Sequence, residues 1–258
     1  MTIRFDVKGH VARVTIDRPD RMNAIDEASE AELLRIWSTI EQDDQVRCVV
    51  LTGTGDRAFC TGADMKQSGN KTGLEYWAAA RPGGFGGLAL RETLDVPVIA
   101  RVNGHALGGG MEMVLGCDIV VAAENASFGL PEPRVGRLAL DGGIAILPRR
   151  IPHVWAMGML LTGRRVPAAE ALALGLVSEV APPGRLAAAA LALAERLARN
   201  APISLRQAKR ALDEGAGLRL EAGLDLENRL YQACLPSRDR QEALRAFAEK
   251  RPPVFTGE

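Results

Sequence analysis

Short apolar runs alternate with a segment of helical periodicity along the first part of the chain. The runs are rich in Val and Ile and about four to eight residues long at their centres, which is typical of buried strands. Between the first two runs, apolar residues recur at helical spacing, and Asp26 precedes them as a candidate N-cap. Strands that alternate with helices predict an α/β body. The predicted strands lie at 10–17, 46–53, 96–104 and 118–125, and the helix lies at 26–44.

From about residue 185 the pattern changes to consecutive helices separated by Pro and Gly. We therefore predict a body at 1–200 and a C-terminal helical region at 201–258. These helices carry more apolar surface than one body is expected to cover, which favours a homotrimer or homohexamer over a plain intrachain lid. Within the body, the Gly-rich segment 66–88 is predicted to be a long loop. The predicted helices lie at 185–199, 202–215, 218–234 and 237–250.

Composition and charge exclude several classes of function. The 258 residues are 47% hydrophobic, and 32 basic side chains balance 32 acidic ones, so net charge gives no broad attraction to nucleic acid or anionic membranes. No secretory signal is recognisable, and the longest apolar run is too short to cross a bilayer. Four scattered cysteines and three isolated histidines form no metal-ligand spacing. We expect a reduced, cytoplasmic protein without a metal.

The stretch NGHALGGGMEM (103–113) carries the first candidate chemistry. Gly108 to Gly110 are predicted to form the turn into a short helix at about 109–116. Without a Cβ, the backbone N–H groups of such a turn can approach a bound group closely, and a helix N-terminus adds unpaired donors. The turn therefore suits an oxyanion or an anionic ligand. Tight packing of the backbone is the alternative, and the spacing matches neither a P-loop nor a dinucleotide fingerprint.

Two carboxylates follow this turn. Glu112 lies in the first turn of the predicted helix, and Glu132 comes 20 residues later between Pro131 and Pro133, which restrict the backbone around it. Two carboxylates beside one oxyanion site could share a water molecule and move its protons. Such a pair titrates as a coupled unit, with one group kept protonated. A solvated position that favours the helix dipole is the alternative for Glu112.

Five segments together carry a resemblance to a known family: VTIDRPDRMNAI (14–25), AFCTGADM (58–65), PVIARVNGHALGGGMEMVLGCDIVVAAENASFGLPE (97–132), LTGRRVPAAEALALGLVSEV (161–180) and FAEKRPPVF (247–255). Through them the sequence resembles, along essentially its whole length, the crotonase superfamily, the enoyl-CoA hydratase/isomerase family. The block from 97 to 132 is the most specific part of this resemblance, and no single glycine motif carries it.

The resemblance implies a spiral of ββα units with a C-terminal helical region that assembles trimers, commonly stacked into hexamers. It implies an enoyl-CoA hydratase, with the thioester oxygen held by the backbone N–H groups of Ala63 and Gly109. Glu112 and Glu132 would hold the water that adds across the α,β double bond. Coenzyme A is part of the substrate, and no further cofactor is implied. The substrate-binding residues carried over are Asp64, Met65, Lys66, Phe247 and Lys250, the last two reaching the substrate partly from a neighbouring subunit.

Some features leave the reaction open within the family. The segments ARPGGFGGL (80–88), SFGLPEPRVG (127–136) and LTGRR (161–165) resemble the carnitinyl-CoA dehydratase branch, which hydrates crotonobetainyl-CoA, and an isomerase or lyase on the same scaffold is a further alternative. In LALDGG (138–143), Leu140 replaces a usually small or acidic residue and can narrow the acyl pocket. We interpret Asp141 as the N-cap of the helix that follows, with a third pocket carboxylate as the alternative. A non-catalytic binding protein is disfavoured by the intact carboxylates and the balanced charge.

Overall fold

The computed structural model describes residues 2–64 and 81–258. The strands in chain order are β1 (Ile3–Lys8), β2 (Val11–Ile16), β3 (Cys48–Gly53), β4 (Ala58–Cys60), β5 (Val98–Val102), β6 (His105–Leu107), β7 (Ile119–Ala123), β8 (Ser127–Gly129), β9 (Val166–Pro167) and β10 (Glu179–Ala181). The helices are α1 (Glu27–Glu41), α2 (Gly109–Leu115), α3 (Gly143–Arg150), α4 (His153–Thr162), α5 (Ala168–Ala173), α6 (Leu186–Ala198), α7 (Pro202–Gly215), α8 (Leu220–Tyr231) and α9 (Arg238–Ala248). Short 3-10 turns lie at Pro19–Arg21, Phe85–Gly87 and Glu132–Val135.

The strands form two sheets, and consecutive chain segments contribute strands to both of them. The larger sheet has the order β1-β2-β3-β5-β7-β10, and the smaller has the order β4-β6-β8-β9. In each of the consecutive pairs β3/β4, β5/β6 and β7/β8, the first strand joins the large sheet and the second joins the small one. Pairing within these repeats is parallel in both sheets. The chain therefore winds as a spiral in which each turn adds one strand to each sheet.

The core lies on both faces of the large sheet, which explains why its central strands read as continuous apolar runs. Along β3 every residue is buried, and alternate side chains face opposite sides. Val49 and Leu51 join the main core with Leu33 and Trp37 of α1. The opposite face packs on a row of alanines of α6, whose small side chains let the helix approach the sheet closely: Ala190, Ala194 and Ala198.

The four strands and the helices predicted from the sequence are confirmed, with ends that differ by a few residues. Asp26 caps α1 as predicted, since its carboxylate accepts a hydrogen bond from Ser29 N at 2.8 Å. The strands not predicted from the sequence are β1 and β10 of the large sheet and those of the small sheet. Strands of two or three residues, as in the small sheet, are too short to show an alternating pattern, and their pairing is set by the longer strands before them.

The C-terminal helices attach to the body through buried polar contacts. Lys209 of α7 forms an ion pair with Asp118, whose other carboxylate oxygen accepts from Val98 N at 2.7 Å. Arg47 donates to the carbonyls of Ala198 and, at 2.9 Å, Phe255. Among the described helices, none combines the length and apolar character needed to cross a membrane.

A buried asparagine joins the two sheets at the β3–β4 turn. The Oδ1 atom of Asn103 accepts from Gly53 N at 3.0 Å, and its Nδ2 atom donates to the carbonyls of Gly55 and Ala58 at 2.9 Å each. The bond to Gly53 N satisfies a buried backbone group, whereas Gly55 is exposed and Ala58 O also accepts from Asn23 Nδ2 at 2.7 Å. Asn103 therefore fixes where the chain leaves the large sheet and enters β4.

We expect Asn103→Ala to lower the free energy of unfolding by about 2 kcal/mol, because it leaves the buried Gly53 N–H without its partner and removes the hydrogen bonds to Gly55 O and Ala58 O. The matched control is Asn125→Ala, which removes one exposed hydrogen bond to Asp56 O (2.7 Å) on the same connection. That control should cost less than about 1 kcal/mol. Urea unfolding followed by circular dichroism, at one fixed protein concentration, measures both values. Equal losses in the two variants would contradict this account of Asn103.

Candidate active site

The small sheet brings three separate chain segments to one edge. Because β4, β6 and β8 run parallel, their carboxyl ends lie at the same side of the sheet. The loop 61–64 leaves β4, α2 begins directly after β6, and the turn that starts with Glu132 follows β8. A hydrogen bond of 3.0 Å from Gly108 N to Gly129 O ties the second segment to the third. Residues about 70 positions apart in sequence thus meet at this edge.

At each of the three glycines before Glu112, a side chain would meet a different steric obstacle. Gly108 has φ of 55°, which favours glycine, and a Cβ there would lie 3.0 Å from Glu132 Oε1. A Cβ at Gly109 would lie 2.6 Å from the ring of Phe85. At Gly110 it would lie 2.0 Å from the Cys60 carbonyl oxygen. The glycine run therefore serves close packing as well as backbone approach to a carboxylate.

The backbone of the β4 loop faces the start of α2. The hydrogen bonds Ile25 N to Gly62 O (2.9 Å) and Asp64 N to Ile25 O (2.8 Å) flank Ala63. In a parallel bridge of this kind, the N–H of the intervening residue points away from the partner strand. On the α2 side, a Cβ at Gly62 would lie 3.2 Å from Gly109 N. The Ala63 and Gly109 backbones, predicted to supply the two donors, thus belong to adjacent segments.

Glu112 is buried, and its side chain is only partly satisfied by hydrogen bonds. The residue is 4% exposed, so the alternative of a solvated helix position is wrong. Its Oε1 atom accepts from the backbone N–H groups of Asp141 (2.8 Å) and Gly143 (3.2 Å). Burial, followed by the nearby Asp141 carboxylate, raises the pKa of Glu112 to about 7, and the Glu132 carboxylate adds to this effect. Glu112 can therefore change its protonation near neutral pH.

Glu132 lies on the other side of Gly108 and is half-buried. It begins a 3-10 turn that Pro131 precedes and Pro133 continues, as the proline spacing suggested. Among the described residues, its Oε2 atom is buried without a hydrogen-bond partner. Burial raises the pKa of Glu132, while the charge of Arg137 opposes this rise. An unpaired buried carboxylate oxygen is costly, so this atom is suited to a proton or to a polar group of a bound molecule.

The prediction that Asp141 caps the following helix is wrong. The N-cap of α3 is Gly142, with φ of 103° and no side-chain hydrogen bond. The Asp141 carboxylate instead accepts hydrogen bonds from Arg81 Nη2, which lies 2.9 Å from each of its oxygens. The pair is nearly buried, with 13% of the Arg81 side chain and 7% of the Asp141 side chain exposed. Asp141 does not cap α3 because Arg81, 60 residues away in sequence, binds the same carboxylate oxygens. The Asp141 side chain lies next to Glu112 as a third carboxylate.

Arg81 and Glu30, which lie beside these carboxylates, were not predicted from the sequence. Glu30 of α1 accepts from Gly86 N at 3.4 Å, and burial raises its pKa, while the charge of Arg81 opposes this rise. The ring of Phe85 is buried against Gly109. The one available signal was ARPGGFGGL itself, which stood out only as a branch resemblance. Nothing in its spacing indicates that Arg81 pairs with residue 141.

The remaining predicted substrate-binding residues divide into three groups. Asp64 turns its carboxylate to Arg18 Nη2 at 2.9 Å, and its N–H donates to Ile25 O, so both its side chain and its backbone donor are engaged within the chain. Leu140 is 48% exposed beside Asp141. Phe247 is 88% exposed and Lys250 is exposed as well, and no ion pair or hydrogen bond of the described chain joins either to the carboxylates. Met65 and Lys66 lie outside the described residues, as does most of the predicted 66–88 loop.

Two further observations bear on the site. Cys60 is fully buried beside the β4 loop, and burial raises the pKa of its thiol to about 12, which is typical of a small packed side chain. Within the described part of the chain, no group of three or more His, Cys, Asp or Glu side chains is arranged to hold a metal ion.

Comparison with known proteins bears on the family and the fold of the chain. Residues 6–258 match the family model described as Enoyl-CoA hydratase/isomerase. An (E)-benzylidenesuccinyl-CoA hydratase from Thauera aromatica is 42% identical over the full length of both chains. A carnitinyl-CoA dehydratase from Proteus mirabilis strain HI4320 is 36% identical, covering 99% of this chain and 98% of the relative.

A solved structure has the same fold. An enoyl-CoA hydratase from Bacillus anthracis superimposes with a TM-score of 0.95 and 38% identity, covering all of both chains. This match confirms the expected crotonase-like spiral with C-terminal helices. The family model matches nearly the whole chain, and the fold with its paired strands is shared with a solved member of that family. These findings lead to one conclusion. The chain belongs to the crotonase superfamily, the enoyl-CoA hydratase/isomerase family of acyl-CoA enzymes.

Proposed function

We propose that the protein is an enoyl-CoA hydratase, which adds water reversibly across the α,β double bond of a 2-enoyl-CoA thioester. The observation that carries this proposal is the position of Glu112 and Glu132 on either side of Gly108, at the start of α2. Two carboxylates beside one set of backbone donors are what the addition of water requires, since one proton leaves the water and another reaches the α-carbon. The hydratase and dehydratase names of two relatives describe the two directions of such a reaction.

The hydrogen bonds support different tasks for the two glutamates. Two backbone N–H groups donate to Glu112 Oε1 and stabilise its ionised form, so Glu112 is suited to take a proton from the water. Glu132 Oε2 lacks a partner among the described residues, and a proton there removes the cost of a buried unpaired charge. Glu132 is therefore suited to deliver the proton to the α-carbon. In this proposal the pair holds one proton at neutral pH.

The N–H groups of Ala63 and Gly109 are the proposed donors to the thioester oxygen. As addition proceeds, negative charge develops on that oxygen, and donors fixed in advance stabilise it without reorganisation. One such donor contributes roughly 3–4 kcal/mol in enzymes that stabilise an oxyanion. The Gly62 position beside Gly109 N supports this arrangement, because a side chain at 62 would crowd the second donor.

The rest of the substrate is assigned by resemblance to the family. We propose that the backbone from Ala63 to Lys66 holds the coenzyme A moiety and that Leu140 borders the acyl group. Phe247 and Lys250 would reach the substrate from a neighbouring subunit, which accords with their exposure within one chain. Isomerisation through Asp141 is the second candidate, but the two Arg81 bonds on its carboxylate count against a free third acid.

Replacing either glutamate tests the reaction. We expect Glu112→Gln and Glu132→Gln each to reduce hydration of the best substrate by roughly 100- to 10,000-fold, because each removes a positioned acid or base. The assay uses a panel of 2-enoyl-CoA thioesters scored for hydration, isomerisation and thioester hydrolysis together. The exposed Glu124→Gln is the control for charge removal and should keep normal turnover. Near-normal turnover in either site variant would mean that its role here is wrong.

The dependence of stability on pH tests the burial of Glu112. Its pKa is about 7 in the folded protein against an ordinary value of 4.5, so its contribution to stability is fully present below pH 4.5 and is lost as pH rises from 4.5 through 7. Between pH 4.5 and 8, the unfolding free energy of Glu112→Gln should rise by about 3 kcal/mol relative to the unsubstituted protein. Urea denaturation at both pH values measures this change. A difference that is independent of pH would contradict a buried ionisable Glu112.

The oligomeric state tests the proposed role of the C-terminal helices. Large apolar side chains remain exposed on α7 to α9 and beyond, including Leu212, Leu220, Leu244 and Phe247. We expect light scattering at micromolar concentration to give three or six times the 27.6-kDa chain mass, because association covers these side chains. A dilution series controls for weak self-association. A monomer throughout would remove the neighbour-subunit role of Lys250.

A further inference from the structure

We propose that Arg81 is a positioning residue of this active site: it holds Asp141 and thereby fixes the turn whose N–H groups orient Glu112. This inference deepens the proposed function and rests on it for the role of Glu112. The contacts form an unbroken series. Arg81 Nη2 lies 2.9 Å from both Asp141 oxygens, and Asp141 N lies 2.8 Å from Glu112 Oε1.

The turn that receives Arg81 has no side-chain cap of its own to keep it in place. Gly142 at the N-cap of α3 supplies no side chain, so the start of α3 depends on contacts from elsewhere. A backbone hydrogen bond from Phe85 to the Asp141 carboxylate is one such contact. Arg81 supplies the charged one, a nearly buried contact that is stronger than a neutral hydrogen bond. When Asp141 is held, its N–H and that of Gly143 both face Glu112 Oε1.

The segment that carries Arg81 is itself anchored to the body. Gly84 N donates to Arg81 O at 3.0 Å, and a Cβ at Gly84 would lie 3.2 Å from Asp141 Oδ1. Trp37 Nε1 donates to Gly86 O at 2.8 Å. Arg81 therefore joins the turn at Asp141 to a segment that is itself held by α1.

Charge also connects these groups. Asp141 lies within electrostatic reach of Glu30 and of Glu112, and Arg81 lies within reach of Glu30 and Asp141. Glu132, with Arg137 near it, acts on Glu112 as well. Loss of Arg81 would leave Asp141 without its cation beside Glu112. The two effects, lost orientation and added repulsion, are separable because a second substitution can remove the Asp141 charge without restoring the contact.

The chain offers a matched control in Arg91. It belongs to the same segment and forms a comparably buried two-point ion pair with Glu41, through Nε at 2.7 Å and Nη2 at 2.6 Å. None of the contacts described for Arg91 leads to Glu112. Arg91→Met should therefore lower stability while leaving kcat within about twofold, whereas Arg81→Met should lower both.

The first experiment measures kcat and KM for the best substrate of the unsubstituted protein. We expect Arg81→Met to lower kcat by about 100-fold with KM changed less than about threefold, because a catalytic group displaced by about 1 Å loses that much rate. Arg81→Lys should recover part of kcat, since it keeps the charge but not the two-point contact. In Arg81→Met/Asp141→Asn, thermal stability should recover while kcat stays low. Near-normal kcat in Arg81→Met, or recovery of kcat in the double variant, would overturn the proposal.

A second measurement does not depend on turnover, so it separates this inference from the proposed function. Urea midpoints at pH 8 are compared for single and combined substitutions at Arg81 and Glu112. We expect Glu112→Gln to raise the midpoint more in the Arg81→Met background than in the unsubstituted protein, because the residues are coupled through Asp141. The Arg91→Met and Glu112→Gln shifts should add. Additive shifts for Arg81 and Glu112 would overturn the inference, whereas a hydration-inactive protein with coupled shifts would overturn only the proposed function.

Discussion

The parallel pairing of β4, β6 and β8 is the constraint on which the rest of the site depends. Three strands of three residues each have little stability alone, and each is placed by the longer strand of the large sheet that precedes it. Buried side chains such as Asn103 then fix the turn between the sheets. As a result, the loop after β4, the start of α2 and the turn at Glu132 emerge at one edge, where backbone donors and carboxylates can act together.

The close packing of backbone and buried carboxylates at this edge lowers the stability of the fold. Cβ atoms at the three glycines before Glu112 would clash with Glu132, the Phe85 ring or the Cys60 carbonyl. The buried Glu112 and Glu132 lose hydration that their hydrogen bonds replace only in part. The same loss of hydration raises both pKa values, which allows a carboxyl group to exchange protons near neutral pH. The features that destabilise the fold here are therefore those that the proposed chemistry uses.

Asp141 shows how a single contact changes the chemistry assigned to a residue. As an N-cap it would be a local device of α3, and as an unpaired third carboxylate it would be a candidate acid. It is not an N-cap, because Arg81 engages both of its oxygens while its backbone N–H donates to Glu112. In the proposed function Asp141 serves to hold Glu112, and the reaction uses two acid–base groups.

The sequence by itself determined the long strands, the helices, the family and the residues Glu112, Glu132 and Gly108–Gly110. These features depend on periodicity and on residue types at short spacing, which a linear pattern records. Only the tertiary structure decided that Glu112 is buried, that Asp141 pairs with Arg81 and that Asp64 turns inward to Arg18. Such pairings join residues about 50 to 60 positions apart. Their partners are selected by burial and by the edge at which parallel strands end, neither of which has a local signature in the chain.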